Sequence, residues 1–306
     1  MNPRRLSSLI FWLLLITLLA ACSRSSASPT AADFQSPTLE QRASTPSAAP
    51  PSPTAPALAA SVNGWAITLA EYQVQLALFQ AAFPITATEA LSPTQAAQQV
   101  LDNLINEALL AQAAQEAGYR VDDASLQTRL DQLAASLGSP QALDDWIANM
   151  GFDADTFRMA LRRAMAAAWM RDQIINAVPT TAEQLHVRQI LLYNSNDAEQ
   201  MLAQLQHGAD FTTLAFEQDP VTGGDLGWFP RGYLTEPEVE AAAFLLQPGQ
   251  YSPIITTPMG FHIVQVIERE AQRPLEPSAR LILQEKALQG WLQNRYSQSE
   301  VKIFVP

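Results

Sequence analysis

His262 is the histidine whose sequence surroundings best suit a role in chemistry. It lies in the stretch TTPMGFHIVQV (256–266), between a Gly-Phe pair and a run of β-forming residues, in a chain with 3 histidines and 1 cysteine. His186 and His207 are most simply surface residues, and the histidines lack the spacing of metal ligands. The sequence therefore predicts neither a metal site nor thiol catalysis. Two interpretations of His262 stay open: a hydrogen-bonding group in a polar site, or a buried strand histidine without a catalytic part.

The charge of the chain excludes some classes of partner. Lys and Arg number 18 against 30 Asp and Glu, which gives a formal net charge of −12. Nucleic acids and anionic membrane surfaces bind proteins through basic patches, and the part predicted to fold has no cluster of Lys or Arg. We therefore expect no nucleic-acid partner. With 306 residues, of which 48% are hydrophobic, the chain is long enough to build two domains with real cores.

Residues 1–22 have the three parts of an export signal. MNPRR supplies positive charge, LIFWLLLITLLA is an apolar stretch too short to span comfortably as a mature helix, and LLAAC ends it in small residues before Cys22. The last part resembles the lipobox of bacterial lipoproteins. That resemblance implies cleavage before Cys22, lipid on that residue, and a protein anchored to the cell membrane on its extracytoplasmic face. The alternatives are an ordinary secretory signal and a plain membrane anchor.

Residues 23–57 are dominated by Ser, Thr, Pro and Ala, with hardly any large apolar side chain. Such a segment cannot bury enough apolar surface to offset its conformational entropy, so it is predicted to be a disordered tether. Fully extended it would reach roughly 115 Å, which would let the folded part work well away from a bilayer.

Residues 58–180 carry helical periodicity. A short strand and turn around Asn63-Gly64 come first, and apolar residues then recur at helical spacing from Leu69 onward. Ser92-Pro93 marks the start of a longer helix. The apolar stripes are most simply the faces by which the helices pack on one another. An open alternative is a groove whose Met and aromatic side chains accept unfolded client segments.

Residues 181–271 are predicted to form a compact α+β module. HVRQILLYN and GFHIVQVIER predict strands, the segments between them two or three helices, and GGDLGWF a tight turn. Residues 272–306 predict a further helix and a terminal strand, which must pack back on the helical region. The expected fold is therefore α+β: a helical lobe built from both ends of the chain, with an inserted module whose antiparallel sheet is flanked by helices.

The module resembles the parvulin family of peptidyl-prolyl cis–trans isomerases. The resemblance rests on blocks that occur in family order: VRQILL, GADFTTLAFEQD, GGDLGWFPRG, EAAAFLLQPGQYSPIITT and GFHIVQVIER. The whole layout, with lipobox, tether, helical region, module and returning helix, looks like the extracytoplasmic foldases of the PrsA and SurA type. That resemblance implies a chaperone-like helical lobe and a module that isomerises X–Pro bonds of exported polypeptides without a cofactor.

The resemblance also implies which residues form the site. Asp219, Thr257 and His262 match a polar cluster under the substrate bond, so they are the candidate catalytic residues. Asp219 has the alternative role of a local cap or turn former. The other candidates would contact the substrate, mainly as an apolar pocket for its proline ring: Gln189, Leu226, Phe229, Leu234, Val239 and Met259.

Several positions depart from the family pattern. Gln189 stands where most members have a histidine, and glutamine donates and accepts hydrogen bonds but carries no charge. Val239 replaces a usual Phe, which gives the pocket a shallower wall, and the segment from Asp219 to Gly224 is shorter than usual. These departures favour an alternative function, a chaperone or holdase with a degenerate, non-catalytic module. The retained polar cluster favours catalysis.

Overall fold

The computed structural model describes residues 56–82 and 91–305. The predicted export signal 1–22, with Cys22, lies outside these residues, and so does the predicted tether up to residue 55. Within the two described ranges, no helix is both long and apolar enough to cross a membrane.

The first part of the described chain forms a helical lobe. It opens with a hairpin of β1 (Leu58–Val62) and β2 (Trp65–Thr68), whose turn residues Asn63 and Gly64 have φ values of +50° and +82°. Two residues with positive φ are what a tight hairpin turn requires. The helices that follow are α1 (Leu69–Ala82), α2 (Pro93–Glu116), α3 (Asp123–Leu137), α4 (Pro140–Asn149) and α5 (Ala154–Asn176).

Polar caps set where these helices begin. Gln95 N–H donates to the Ser92 hydroxyl, and Ser92 N–H donates to Gln95 Oε1 at 2.9 Å, which together form a capping box before α2. Asp122, Ser139 and Asp153 cap α3, α4 and α5 with their side-chain oxygens. The helix start predicted at Ser92-Pro93 is confirmed.

The chain then builds an antiparallel sheet with flanking helices. The strands lie in the order β4-β3-β6-β5, so the two longest strands, β3 and β6, are central. The expected α+β architecture is confirmed. In chain order the elements are β3 (Thr181–Leu192), α6 (Ser195–Gln206), α7 (Phe211–Gln218), β4 (Asp225–Pro230), α8 (Pro237–Leu245), β5 (Ile255–Thr257) and β6 (Gly260–Pro274).

Helices cover both faces of this sheet. Helices α6 and α7 pack on one face around Ile190 and Ile263, and α8 packs on the other around Val187 and Val264. Because side chains alternate along a strand, His262 shares a face with Val264. The candidate histidine therefore lies on the α8 side of the sheet.

The segment GGDLGWF (223–229), predicted to be a tight turn, is largely a strand. The chain turns at Gly223 and Gly224, and from Asp225 onward it forms β4. Strand β4 pairs with β3 from Gln184↔Pro230 to Arg188↔Asp225, with a bulge at Leu226 of β4. Pairing with a partner strand, rather than the glycine-rich local sequence, makes this segment extended.

The C-terminal segment returns to the helical lobe. Helix α9 (Pro277–Ser297) packs against α5 and α2, and β7 (Val301–Ile303) pairs with β1 to give a sheet in the order β2-β1-β7. Asn63 Nδ2 donates to Gln112 Oε1 at 2.8 Å, and Glu300 N–H donates to Asn63 Oδ1 at 2.8 Å. The Asn63 side chain thus joins the first hairpin, α2 and the C-terminal segment, and the expectation of a lobe built from both chain ends is confirmed.

A charged cluster lies inside the helical lobe. Arg163 of α5 donates from Nε to Glu107 Oε1 of α2 at 2.7 Å, and its terminal nitrogens pair with the Glu71 carboxylate of α1. The exposed fractions of the side chains are 14% for Arg163, 14% for Glu107 and 8% for Glu71. One guanidinium group therefore links three helices.

Candidate active site

His262 lies on β6 between two neighbouring strands, opposite Leu191 of β3 and Ile255 of β5. Only 4% of the residue is exposed. A buried imidazole carries two polar nitrogens, and leaving either without a partner would cost free energy because the group has been removed from water. The contacts of these two nitrogens therefore decide what the ring can do.

Both ring nitrogens of His262 are hydrogen-bonded. Nδ1 lies 3.0 Å from Gln189 Oε1, and since an amide oxygen only accepts, the Nδ1–H is the donor. Nε2 lies 2.9 Å from Thr257 Oγ1. A neutral ring with its hydrogen on Nδ1 has no hydrogen on Nε2, so Nε2 accepts from the Thr257 hydroxyl, whose oxygen in turn accepts from the N–H of Met259 at 3.1 Å. The Gly260 carbonyl oxygen, 3.4 Å from Thr257 Oγ1, is a more distant acceptor for the same hydroxyl.

Burial lowers the pKa of His262 from its ordinary value of 6.5, and the negative charge of Glu236 acts in the opposite direction. A lowered pKa keeps the ring neutral at neutral pH. The unfolded chain takes up a proton at this histidine at a higher pH than the folded chain does. The contribution of His262 to stability is therefore present above pH 6.5 and is lost as the pH falls through the lowered pKa.

Asp219 organises the turn that leads into β4. Its carboxylate accepts from the N–H groups of Val221 at 3.1 Å and Thr222 at 3.2 Å, and from the Thr222 hydroxyl. The hydrogen bonds from Thr222 are the main cause that lowers the pKa of Asp219, so the carboxylate is ionised at neutral pH. Gly224 N–H approaches the same carboxylate at 3.4 Å. The Asp219 side chain is thus occupied by its own turn.

This turn is fastened to the residue that contacts His262. Gln189 N–H donates to the Gly224 carbonyl oxygen at 2.8 Å. Gly224 has a φ of +68°, and a Cβ there would lie 1.9 Å from Gln189 O, so only glycine permits this approach. A continuous set of hydrogen bonds consequently runs from Asp219 through Gly224 and Gln189 to His262 and Thr257. We call these residues the site network.

The predicted apolar residues of the site share the core on the α8 face. Phe229 is 0% exposed and meets Phe244 edge to face with ring centroids 6.1 Å apart, and Val239 is 2% exposed. Leu226 and Leu234 pack against the same core but stay partly exposed. A proline ring could contact these two leucines directly, whereas Phe229 and Val239 offer almost no surface. A role of these residues in substrate binding stays a prediction.

Met259 and the other two histidines have different surroundings. Met259 lies at the turn between β5 and β6, two residues after Thr257, with 56% of its surface exposed. Nε2 of His186 lies 2.9 Å from Asp225 Oδ1, and its ring stacks on Trp228 with centroids 5.6 Å apart. His207, at the end of α6, lies with Nδ1 2.6 Å from Ala203 O. Met259 is thus an exposed apolar neighbour of the site network, and the two histidines have other partners.

Two family profiles match the chain. The profile described as PPIC-type PPIASE domain matches residues 175–270, which contain the whole site network. The profile described as SurA-like N-terminal domain matches residues 33–171. The chain carries a PPIC-type PPIase domain and a SurA-like N-terminal domain. The PPIC-type domain corresponds to the inserted α+β module, and the SurA-like domain to the helical region before it.

Curated relatives are similar over part of their length. A Chaperone SurA of Ralstonia nicotianae is 29% identical over 212 residues, which cover 57% of this chain and 42% of that protein. A Foldase protein PrsA of Geobacillus sp. is 29% identical over 192 residues, which cover 58% of this chain and 65% of that protein. The chain thus spans less than two thirds of each of these relatives. A crystal structure of a peptidylprolyl isomerase (PrsA) from Bacillus cereus is 21% identical with a TM-score of 0.44 and covers 70% of this chain and 86% of that one.

Glu240 supports the PPIC-type domain in a way that the sequence did not reveal. Its carboxylate accepts three backbone N–H groups from the loop before α8, those of Gly232 at 2.6 Å, Tyr233 at 2.9 Å and Leu234 at 3.0 Å. These bonds fix the backbone that carries Leu234. Glutamate is common in the first turn of a helix because its negative charge interacts favourably with the positive end of the helix dipole. No sequence signal therefore distinguishes Glu240 from other such glutamates.

Replacing Glu236 by Gln is expected to lower the pKa of His262 further. Glu236 carries the charge that favours the protonated ring, and its removal leaves burial unopposed. NMR titration of the His262 ring protons would measure the change. Glu238→Gln is the matched control, because Glu238 lies two residues after Glu236, in the first turn of α8, and is not among the charges that act on this pKa. Equal shifts in the two variants, or a rise in the pKa, would contradict the assignment.

Proposed function

We propose that the PPIC-type domain catalyses cis–trans isomerisation of X–Pro bonds, and that the chain is an extracytoplasmic foldase anchored by lipid on Cys22. The site network carries this proposal, since it fixes His262 and its partners on the same face of the sheet as the partly exposed Leu226 and Leu234. Such a site offers a preset hydrogen-bonding field next to apolar surface. X–Pro isomerisation needs those two features and neither a nucleophile nor a metal.

The proposed mechanism is non-covalent. Amide resonance sets a barrier of about 18–20 kcal/mol to rotation about the peptide bond. Seating the proline ring against Leu226 and Leu234 excludes water from the rotating bond, and fixed dipoles that favour the twisted amide lower the barrier. His262 would act as a hydrogen-bonding organiser, because both its nitrogens are engaged and its pKa is lowered by burial. Thr257 and Gln189 would orient the ring, and Asp219 would hold the turn that positions Gln189.

The proposed substrates are unfolded or partly folded exported polypeptides. The lipobox resemblance at Cys22 and the similarity to proteins named Foldase protein PrsA and Chaperone SurA support this assignment. A net charge of −12 disfavours binding to nucleic acid, so we propose no nucleic-acid partner. The tether 23–57 would let both folded parts reach chains as they emerge from export.

The rate of a proline-limited refolding reaction tests the catalytic proposal. The fragment from residue 58 onward should accelerate this refolding reaction. His262→Ala should lower kcat/KM roughly tenfold or more. A tenfold change corresponds to about 1.4 kcal/mol, which is about the contribution of one hydrogen bond. Thr257→Val tests the same network while keeping the side-chain shape. His207→Ala is the control and should keep full activity. A wild-type fragment without acceleration would refute the proposal.

The second candidate function is a holdase whose PPIC-type domain does not catalyse. Gln189 favours it, because an amide in contact with His262 cannot carry the charge of a second histidine. This function predicts that the fragment suppresses aggregation of a denatured client while leaving proline-limited refolding unchanged. It also predicts that His262→Ala suppresses aggregation as well as the wild type.

A further inference from the structure

The loop 231–236, between β4 and α8, carries Leu234 and is held on two sides. From within the PPIC-type domain, Glu240 accepts the N–H groups of Gly232 and Leu234 at 2.6 Å and 3.0 Å. From the other side, Lys286 of α9 donates from Nζ to the Gly232 carbonyl oxygen. Both backbone polar groups of Gly232 are therefore engaged, one by each part of the molecule.

Gly232 also lies in close contact with α9. Its φ is +82°, and a Cβ at this position would lie 3.3 Å from Leu283 Cδ2. Leu283 and Lys286 are three residues apart, so they lie on the same face of the helix. This face of α9 rests on the loop with one apolar side chain and one charged donor.

Helix α9 is in turn fixed in the helical lobe. Gln284 Nε2 donates to the Ile175 carbonyl oxygen of α5 at 3.2 Å, and Arg295 pairs with Glu116 of α2. The helix therefore joins the loop 231–236 to the two long helices α2 and α5. A change in the packing of the helical lobe would reach the loop through this element.

We propose that Lys286 and Leu283 are positioning residues through which the helical lobe sets the conformation of the loop 231–236 and thereby the binding of the proline ring. The proposal rests on the proposed isomerase function of the same site. Both residues act through Gly232, which lies two residues before Leu234 in the chain. The efficiency of isomerisation is thus a property of the two parts together rather than of the PPIC-type domain alone.

The full chain in detergent, with Lys286 replaced by Met, tests this proposal. Loosening the loop weakens the contact of Leu234 with proline equally in the bound ground state and in the transition state. KM should therefore rise about three- to tenfold while kcat stays nearly constant, in line with the loss of one hydrogen bond. Lys286→Arg keeps a donor and should restore the wild-type KM. Lys302→Met is the matched control, because Lys302 lies on β7, away from the loop, and the change removes the same charge from an ion pair with Glu300.

Amide resonances and peptide binding provide two measurements that do not depend on catalysis. The amide resonances of Gly232 and Leu234 should shift in Lys286→Met and in Leu283→Ala but not in Lys302→Met, and the Kd of the peptide Ala-Leu-Pro-Phe should rise with KM. Unchanged resonances and an unchanged Kd in both α9 variants would overturn the proposal. A wild-type chain that binds the peptide but does not isomerise it refutes the proposed function alone, and the resonances and Kd still decide the role of α9.

Discussion

Arg163→Met is expected to lower the free energy of unfolding by about 3–5 kcal/mol, the usual cost of removing one partner from a buried ion pair. Methionine has a suitable length and fills much of the same space, so the loss comes from charge rather than from a cavity. Glu71 and Glu107 would remain buried on neighbouring helices without the guanidinium that pairs with both. Two like charges in a poorly solvated site repel each other and destabilise the helical lobe.

The pH dependence of this effect follows from Glu107. Burial raises the pKa of Glu107 even though Arg163 acts to lower it, and loss of Arg163 would raise it further. In the unfolded chain this carboxyl ionises near pH 4.5, whereas the folded variant resists ionisation. The destabilisation of Arg163→Met is therefore largest at neutral pH and shrinks as the pH falls towards 4.5, where the carboxyl is protonated at less cost.

Urea unfolding at pH 7 and at pH 5 would measure both effects. Arg162→Met is the control, since Arg162 is the neighbouring arginine and pairs with Asp123, with side chains 45% and 91% exposed. An exposed pair contributes about 0–1 kcal/mol, so this variant should unfold almost as the wild type does. Similar losses in the two variants would contradict a special role for the buried cluster.

Local sequence signals were sufficient to predict the helical lobe. Ser92-Pro93 marks a helix start, and the apolar stripes that follow it match helices that the structure contains. Asn63-Gly64 likewise forms the expected turn, which in the structure closes a hairpin of β1 and β2. These features depend on interactions between residues close together in the chain, so they can be predicted without knowing the fold.

Strand β4 and strand β5 could not be predicted in the same way. Strand β4 contains Gly227 with a φ of +67° and is extended because it pairs with β3, about forty residues earlier in the chain. Strand β5 has only 3 residues and exists as the partner of β6. The free energy that orders these segments comes from long-range pairing, which leaves little trace in a short stretch of sequence.

The site was predictable where a family pattern or a hairpin brings residues together. Thr257 and His262 meet because β5 and β6 form a hairpin in which Thr257 pairs with Gly260. Gln189 was placed at the site by resemblance alone, and in the structure its amide oxygen accepts a hydrogen bond from His262 Nδ1. Glu240 was missed because its carboxylate binds backbone N–H groups, and contacts to the backbone place no demand on the sequence of the loop.

Gly224→Ala is expected to disrupt the site network and to lower the proposed isomerase activity at least tenfold. The added Cβ would lie 1.9 Å from the Gln189 carbonyl oxygen, so the turn must move away from β3. That movement breaks the 2.8 Å bond from Gln189 N–H to Gly224 O and shifts the amide that holds His262 Nδ1. The combined cost of the left-handed backbone and of overpacking is about 2–5 kcal/mol.

Gly227→Ala separates the close approach from the backbone strain. Gly227 has nearly the same φ, +67° against +68° for Gly224, but a Cβ there would meet nothing within 4 Å. We expect this control to lose only the cost of a left-handed alanine, about 1–2 kcal/mol, and to keep both its activity and the wild-type pKa of His262. Urea unfolding, the proline-limited refolding assay and NMR titration of His262 would be measured for both variants.

If the two variants behaved alike in all three measurements, the contact of the turn with Gln189 would have no special part in the site. If only Gly224→Ala changes the titration of His262, the turn of Asp219 acts on the histidine through the Gln189 backbone, as the site network requires.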